Sequence, residues 1–387
     1  MRTVRPAAEH LANLEPYDPR YLPARIYLNA NENPYGMPKA AKDELLQAIQ
    51  NEPLHRYPDP LAKRLRNTLA AKLGVAKENI VLGNGGDELL FNLCLAYGGE
   101  GRCLLTAPPT FSVYKSDAVI SRTKLVEIPR TTGTDAEGLL DFSIDTNAIL
   151  AEVSTGNVDL VMLTSPNNPS GDCLSLEFIE EVLAATDAVV LIDHAYIEFA
   201  HPDYDATSLL SSNANLAILR TFSKAYGLAG LRIGYLVASE EITRQIQKVR
   251  QPYSVDTFAA LAALAALGAE KEACNNLDRI ISERKRLMQA LGPDGLGLPV
   301  APSEANYLLF KVPDAYDTWR QLYDRYSILV RDLSAAPGLF DCLRVSIGTP
   351  EENDEFLQAL ASILGLSIGE DVPNDSDETA GVAAKSV

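Results

Sequence analysis

One lysine stands where an amine is costly to keep. Lys224 lies in the turn of the stretch LAILRTFSKAYGLAGLRIGYLV, between two apolar, strand-like runs, Leu216–Leu219 and Ile233–Val237. Thr221 and Ser223 place hydroxyls just before it, and Arg232 follows. Burying an ammonium is unfavourable unless it is paired or neutralised, and desolvated lysines are the ones that condense with carbonyls. Hydroxyls, an arginine and glycines together can cradle a phosphate dianion. The same residues would also make a surface turn with an exposed lysine and an ion-paired arginine, so other stretches have to decide.

Four of them carry complementary chemistry. Gly83-Asn84-Gly85-Gly86-Asp87-Glu88 follows an apolar start and precedes a helical run, so the N–H groups of a helix beginning there could hold a phosphate. It lacks the Gly-Lys-Ser/Thr of a Walker A loop and fits a dinucleotide fingerprint poorly; a plain N-cap is the alternative. Asp193 ends the run Val189–Ile192 and Tyr196 follows it, which makes Asp193 either a turn former or a charge aimed into a site at a strand end. Ser165-Pro166-Asn167-Asn168-Pro169-Ser170-Gly171 follows Leu160–Leu163 and reads as a turn or as a ligand loop. Phe111, after Pro108-Pro109-Thr110, could stack on a flat ring or simply pack.

The elements that must position these residues alternate. Strand signals at Asn79–Leu82, Cys103–Thr106, Lys124–Ile128, Leu160–Leu163, Val189–Ile192, Leu216–Leu219 and Ile233–Val237 are separated in several places by helical segments, including Leu89–Tyr97. This predicts an α/β domain with a mostly parallel sheet, whose ligands sit at the carboxyl ends of the strands. Earlier come an extended run from Arg25, a helix over Pro38–Gln50 and an amphipathic helix over Leu61–Leu73 ending at Gly74. Beyond Tyr253 a long helical region, Asp256–Leu291, leads to strands at Tyr307–Phe310, Ile328–Val330 and Leu343–Ile347 and a closing helix, Asn353–Leu364: a smaller α+β domain. The expected division is an N-terminal segment over 1–50 packing with the small domain, a large domain over 51–255, a small domain over 256–366, and an acidic, disordered tail over 367–387.

A chain of 387 residues, 47% hydrophobic, can bury the core of two or three domains. A net charge of −18 argues against nucleic acid as a partner. Five scattered cysteines without a CxxC pair suit a reducing cytoplasm and neither a disulfide framework nor a thiolate zinc site. With four histidines and no HExxH, a catalytic metal is not expected. Nor is a membrane span or a secretory signal expected, for want of a long apolar stretch.

Ser223-Lys224-Ala225-Tyr226-Gly227-Leu228-Ala229-Gly230-Leu231-Arg232-Ile233-Gly234 resembles the lysine loop of fold type I aminotransferases, which use pyridoxal phosphate. The resemblance runs from about Tyr17 to the closing helix. It implies that Lys224 carries the cofactor and serves as proton-transferring base and acid, and that Asp193 pairs with the pyridine nitrogen. It further implies that Tyr196 and Asn168 bind the phenolic oxygen, that Phe111 stacks on the ring, and that Gly86, Asp87, Thr221, Ser223 and Arg232 hold the phosphate. Leu28-Asn29-Ala30-Asn31-Glu32-Asn33-Pro34, Arg56-Tyr57-Pro58-Asp59, Val330-Arg331-Asp332 and Leu343-Arg344-Val345 are similar to the histidinol-phosphate aminotransferase family in particular. That likeness implies a homodimer in which Tyr57 reaches the neighbouring site. Arg344 would receive the α-carboxylate of glutamate or 2-oxoglutarate, and Arg331, with Tyr17, the substrate phosphate. A lyase resembling threonine-phosphate decarboxylase, an aromatic-amino-acid aminotransferase and an inactive cofactor-binding regulator are the rival readings. Two departures stand out: the family commonly has Asp-Glu-Ala-Tyr where this chain has Asp193-His194-Ala195-Tyr196, and some members carry Tyr in place of Phe111. Alternation along the strand end predicts that His194 points away from the cofactor.

Overall fold

The computed structural model describes residues 4–16, 18, 20 and 22–367. Tyr17 and residues 368–387, nearly all of the expected acidic tail, lie outside the described residues. Strand β1 (Ile26–Leu28) precedes β2 (Ile80–Asn84), β3 (Cys103–Thr106) and β4 (Lys124–Glu127). A two-stranded ribbon follows, β5 (Gly133–Thr134) with β6 (Leu140–Asp141), and then β7 (Leu160–Thr164), β8 (Val189–Asp193), β9 (Leu216–Thr221) and β10 (Ile233–Ala238). The last three are β11 (Tyr307–Lys311), β12 (Ile328–Asp332) and β13 (Cys342–Ser346).

Seven strands form one sheet in the order β2-β10-β9-β8-β7-β3-β4. All run parallel except β10, which is antiparallel to both of its neighbours. The reason is local: a parallel return needs a crossover of a dozen residues or more, usually a helix, whereas β9 and β10 are joined by the compact lysine loop with one short 3-10 turn at Ala229–Leu231.

β7, β8 and β9 are buried along their whole length, as expected of strands covered on both faces. Alternation sends Val161, Leu163, Val190, Ile192 and Ile218 to one face, against helices 146–153 and 176–185. Leu160, Met162, Val189, Leu191, Ala217 and Leu219 go to the other, against helices 85–97, 113–120 and 240–249. The parity continues to the strand ends. Thr164 pairs with Asp193, and Asp193 with Leu219, so Thr164, Asp193 and Thr221 lie on the second face while His194 falls on the first.

The second sheet has the order β1-β12-β13-β11, with β1 parallel to β12 and the other pairs antiparallel. Helices 270–291, 315–326 and 350–364 cover it with Leu287, Trp319, Leu322, Phe356 and Leu360, and Tyr196 and Ala225 of the large sheet's rim join the same cluster. The long helical region expected over Asp256–Leu291 is two helices, Thr257–Gly268 and Glu270–Leu291. The first, expected in the small domain, packs Ala259, Ala262 and Ala266 against Ile80, Leu82 and Tyr235 of the large sheet.

Candidate active site

At the carboxyl ends of β2, β7, β8 and β9 lies a cavity of about 410 Å3, a size that suits a small ligand or cofactor. Of the residues singled out in the sequence, Lys224, Asp193, Tyr196, Gly86, Asp87, Phe111, Asn168, Thr221, Ser223, Arg232, Arg331 and Arg344 all line it. Tyr57 does not. It is 81% exposed and stacks on Tyr253, with ring centroids 4.6 Å apart.

Lys224 extends from the β9–β10 loop and donates from Nζ to the Ala30 carbonyl at 2.9 Å. Burial pushes its amine down to about 8, helped by the positive charges of Arg344 and Arg232 and opposed by Glu32 and Asp87. The N-terminal segment clamps this loop: Asn33 Nδ2 donates to the Ala225 carbonyl at 2.9 Å. Gly227, at φ +66°, lies so close to Gly36 that a Cβ would come within 2.5 Å of its carbonyl carbon. Only glycine fits both the left-handed backbone and the close approach.

Asp193 is 4% exposed. Burial pushes its carboxyl up to about 6, against the Tyr114 hydroxyl and the Ala195 N–H that favour the ionised form, while the Asp87 carboxylate opposes it. Asn31 Nδ2 and Asn168 Nδ2 reach Tyr196 Oη at 3.0 and 3.4 Å, so two amides fix that phenol.

The opposite corner is built for an anion. Helix 85–97 starts directly at the end of β2, at Gly85, four residues earlier than the expected Leu89. Gly86 and Asp87 therefore sit in its first turn, where N–H groups lack intrahelical acceptors. Thr221 Oγ1 and Ser223 Oγ are 3.0 Å apart. Arg232, with φ +48°, donates to Asp87 Oδ2 at 3.0 Å, and a Cβ at Gly85 would come within 2.7 Å of its Nη2. Gly85 thus makes room for the guanidinium.

On the other side, Arg344 donates to Asn168 Oδ1 and to the Asn29 carbonyl. Both acceptors are neutral groups that orient the guanidinium. Arg331 donates to the Asp18 carbonyl at 3.3 and 3.4 Å and also lines an adjoining cavity of about 390 Å3 that contains Arg20. His194 is wholly buried and faces away: Nε2 accepts from the Ala206 N–H at 3.1 Å, so Nδ1 carries the proton and donates to the Ser165 carbonyl. Burial and Arg220 hold it down to about 4, hence neutral.

Sequence reasoning missed several residues here. Asn29–Glu32 line the cavity, although they stood out only as a mark of resemblance. Thr164 and Tyr114 were not singled out; strand parity shared with Asp193 was the available signal for Thr164, and nothing marked Tyr114. Among the described residues, no cluster of His, Cys, Asp or Glu could hold a metal ion, and no helix is long and apolar enough to cross a membrane.

The site fits pyridoxal phosphate on its own chemistry. An amine with a depressed pKa, a buried carboxylate that a cationic ring nitrogen would stabilise, and a glycine-lined anion corner with a helix N-terminus and an arginine share one cavity. Comparisons agree. The family described as Aminotransferase class I and II matches residues 24–360. Histidinol-phosphate aminotransferase 1 of Carboxydothermus hydrogenoformans is 41% identical over 356 residues, 92% of this chain and 98% of that one. Histidinol-phosphate aminotransferase of Chlorobaculum tepidum is 34% identical over 360 residues, 93% of this chain and all of that one. The crystal structure of histidinol-phosphate aminotransferase from Sinorhizobium meliloti in complex with pyridoxal-5'-phosphate matches 94% of this chain and 98% of that one, with a TM-score of 0.83 and 26% identity.

Proposed function

This chain belongs to the aminotransferase class I and II family, and from that premise we propose that it is a pyridoxal-phosphate-dependent transaminase acting on histidinol phosphate in histidine biosynthesis, with glutamate and 2-oxoglutarate as the second pair. One observation carries the reading: the Lys224 amine and the Asp193 carboxylate open onto a single ring-sized cavity with an anion corner beside them.

Pyridoxal phosphate, when bound, supplies a carbonyl that amines condense with and a ring that accepts electrons. Lys224 is the residue that holds it. The same amine would take the proton from the substrate α-carbon and later return one. Asp193 provides the counter-charge for the ring nitrogen. Tyr196 and Asn168 address the phenolic oxygen, and Phe111 covers a ring face. The helix start at Gly86 and Asp87, with Thr221, Ser223 and Arg232, receives the phosphate.

Arg344 takes the α-carboxylate of glutamate or 2-oxoglutarate, since a planar fork suits bidentate recognition. Arg331, with Tyr17, takes the phosphate of histidinol phosphate. The enzyme is read as a homodimer, because an exposed Tyr57 supported by Tyr253 fits a side chain whose target is in another copy, and as cytoplasmic, because its scattered free cysteines suit a reducing compartment. We read the chain as an N-terminal segment, a large cofactor-binding domain and a small domain, with helix 257–268, which packs on the large sheet, moved to the large side of the boundary.

Purified protein given histidinol phosphate and 2-oxoglutarate is expected to form glutamate. Carbon dioxide released from O-phosphothreonine, without glutamate, would move the assignment to a lyase. Faster turnover of aromatic amino acids than of histidinol phosphate would move it to an aromatic aminotransferase.

A further inference from the structure

Asp193 is one end of a short buried chain of hydroxyls. Tyr114, on helix 113–120, is fully buried and donates from Oη to Asp193 Oδ2 at 2.7 Å. Its oxygen lies 2.6 Å from Thr164 Oγ1, at the end of the neighbouring strand β7. An ionised carboxylate only accepts, so the single phenolic hydrogen is committed to Asp193 and Thr164 must be the donor to Tyr114. Thr110, 3.3 Å from Thr164, has a shorter acceptor of its own in Asn167 Oδ1 at 2.7 Å. The donors therefore run one way, from Thr164 to Tyr114 to Asp193. Phe111 packs edge-on against the Tyr114 ring at 5.7 Å and 90°, which ties the ring's position to the residue that covers the cofactor.

We propose that Tyr114, oriented by Thr164, is a positioning residue that keeps the Asp193 carboxylate ionised and aimed at the cofactor's ring nitrogen, a role that rests on the transaminase reading above. The groups acting on Asp193 come from three elements. Helix 113–120 brings the Tyr114 hydroxyl, the turn after β8 brings the Ala195 N–H, and the start of helix 85–97 brings the opposing Asp87 carboxylate. Remove the phenolic O–H and one N–H is left against burial and a like charge. The carboxyl then takes up a proton at higher pH and its attraction for a cationic ring nitrogen weakens. Thr164 acts one step back, because without its donated hydrogen the phenol can turn toward another acceptor.

The test uses the full chain freed of cofactor and titrated with pyridoxal phosphate, binding being followed by absorbance across pH 6.5 to 8.5. Tyr114→Phe keeps the ring and removes only the hydroxyl. Its dissociation constant should rise about tenfold at the acid end, the scale of one hydrogen bond to a charged group, and return toward wild type as rising pH restores the carboxylate. Thr164→Val should show the same pH-dependent weakening to a smaller extent, and Thr164→Ser should bind as wild type does. A deficit in Tyr114→Phe that is equal at every pH and parallels a lower melting temperature would show mere packing and overturn the proposal. So would unchanged binding in both Tyr114→Phe and Thr164→Val. Wild-type protein that bound no pyridoxal phosphate at any pH would instead sink the cofactor reading on which all of this rests.

Discussion

The two ends of the cavity are assembled in different ways. At the cofactor end the side chains hang from the rim of one sheet. Asp193 closes β8, Thr221 closes β9, Lys224 and Arg232 sit in the loop after it, and Gly86 opens the helix after β2. Each lies within a few residues of a strand whose register is fixed by burial on both faces. At the end proposed for the substrate the groups are brought together from distant parts of the chain. Arg344 of β13 is held by Asn29 and Asn168, and Ser346 Oγ accepts from the Asn31 N–H, 315 positions away. The first end is a local consequence of strand–turn pattern; the second exists only once the termini have met.

That contrast can be broken experimentally. The largest effect is expected from Lys224→Ala. It removes the amine proposed to move the proton and should cost about 10^4-fold in turnover of every substrate, along with the visible absorbance of bound cofactor. Retained turnover would mean that another group does the chemistry. Arg344→Ala should be selective. The kcat/KM for 2-oxoglutarate should fall about 10^2- to 10^3-fold through loss of a buried charge-to-charge contact, with the dissociation constant for pyridoxal phosphate nearly unchanged. A comparable loss of cofactor affinity would erase the distinction between the two ends.

The smallest and most local effect is a pH dependence. Lys224 has its pKa lowered to about 8 by burial and by Arg344 and Arg232, and capture of the cofactor carbonyl needs the neutral amine. In cofactor-free protein the capture rate, read by rapid-mixing absorbance, should rise about fivefold from pH 7 to 8, reach about tenfold by pH 9 and level off above it. A lysine of ordinary pKa would keep gaining up to about pH 10, and such behaviour would contradict the depressed value. Arg344→Ala should move the plateau upward, because one of the charges that disfavour the ammonium is gone.

How much of this was legible in the sequence follows the same division. Val189–Ile192 and Leu160–Leu163 announced buried strands, so Asp193 and Asn168 were placed at strand ends by composition alone, and parity placed His194 on the far face. The helix was expected to start at Leu89 and starts at Gly85, whose φ of +76° turns the chain out of β2 and whose missing Cβ leaves room for Arg232. Tyr114 was invisible because it is one tyrosine in an ordinary helical segment, and its meaning depends on a strand to which it is not adjacent in sequence. Ala259 and its neighbours read as the beginning of the small domain, since an alanine-rich helix carries no sign of which sheet it covers. The two-stranded ribbon of β5 and β6 had no sequence signal strong enough to notice.

The parallel pairing of β1 with β12 bears on how the molecule comes into being. A ribosome delivers Ile26–Leu28 and the Asn29–Gly36 segment long before their partners in β12 and β13. The large sheet can fold while synthesis continues, as domains commonly do, but Arg331 and Arg344, which line the cavity, come from strands made later. The cavity is therefore complete only when β1 has found a strand made long after it.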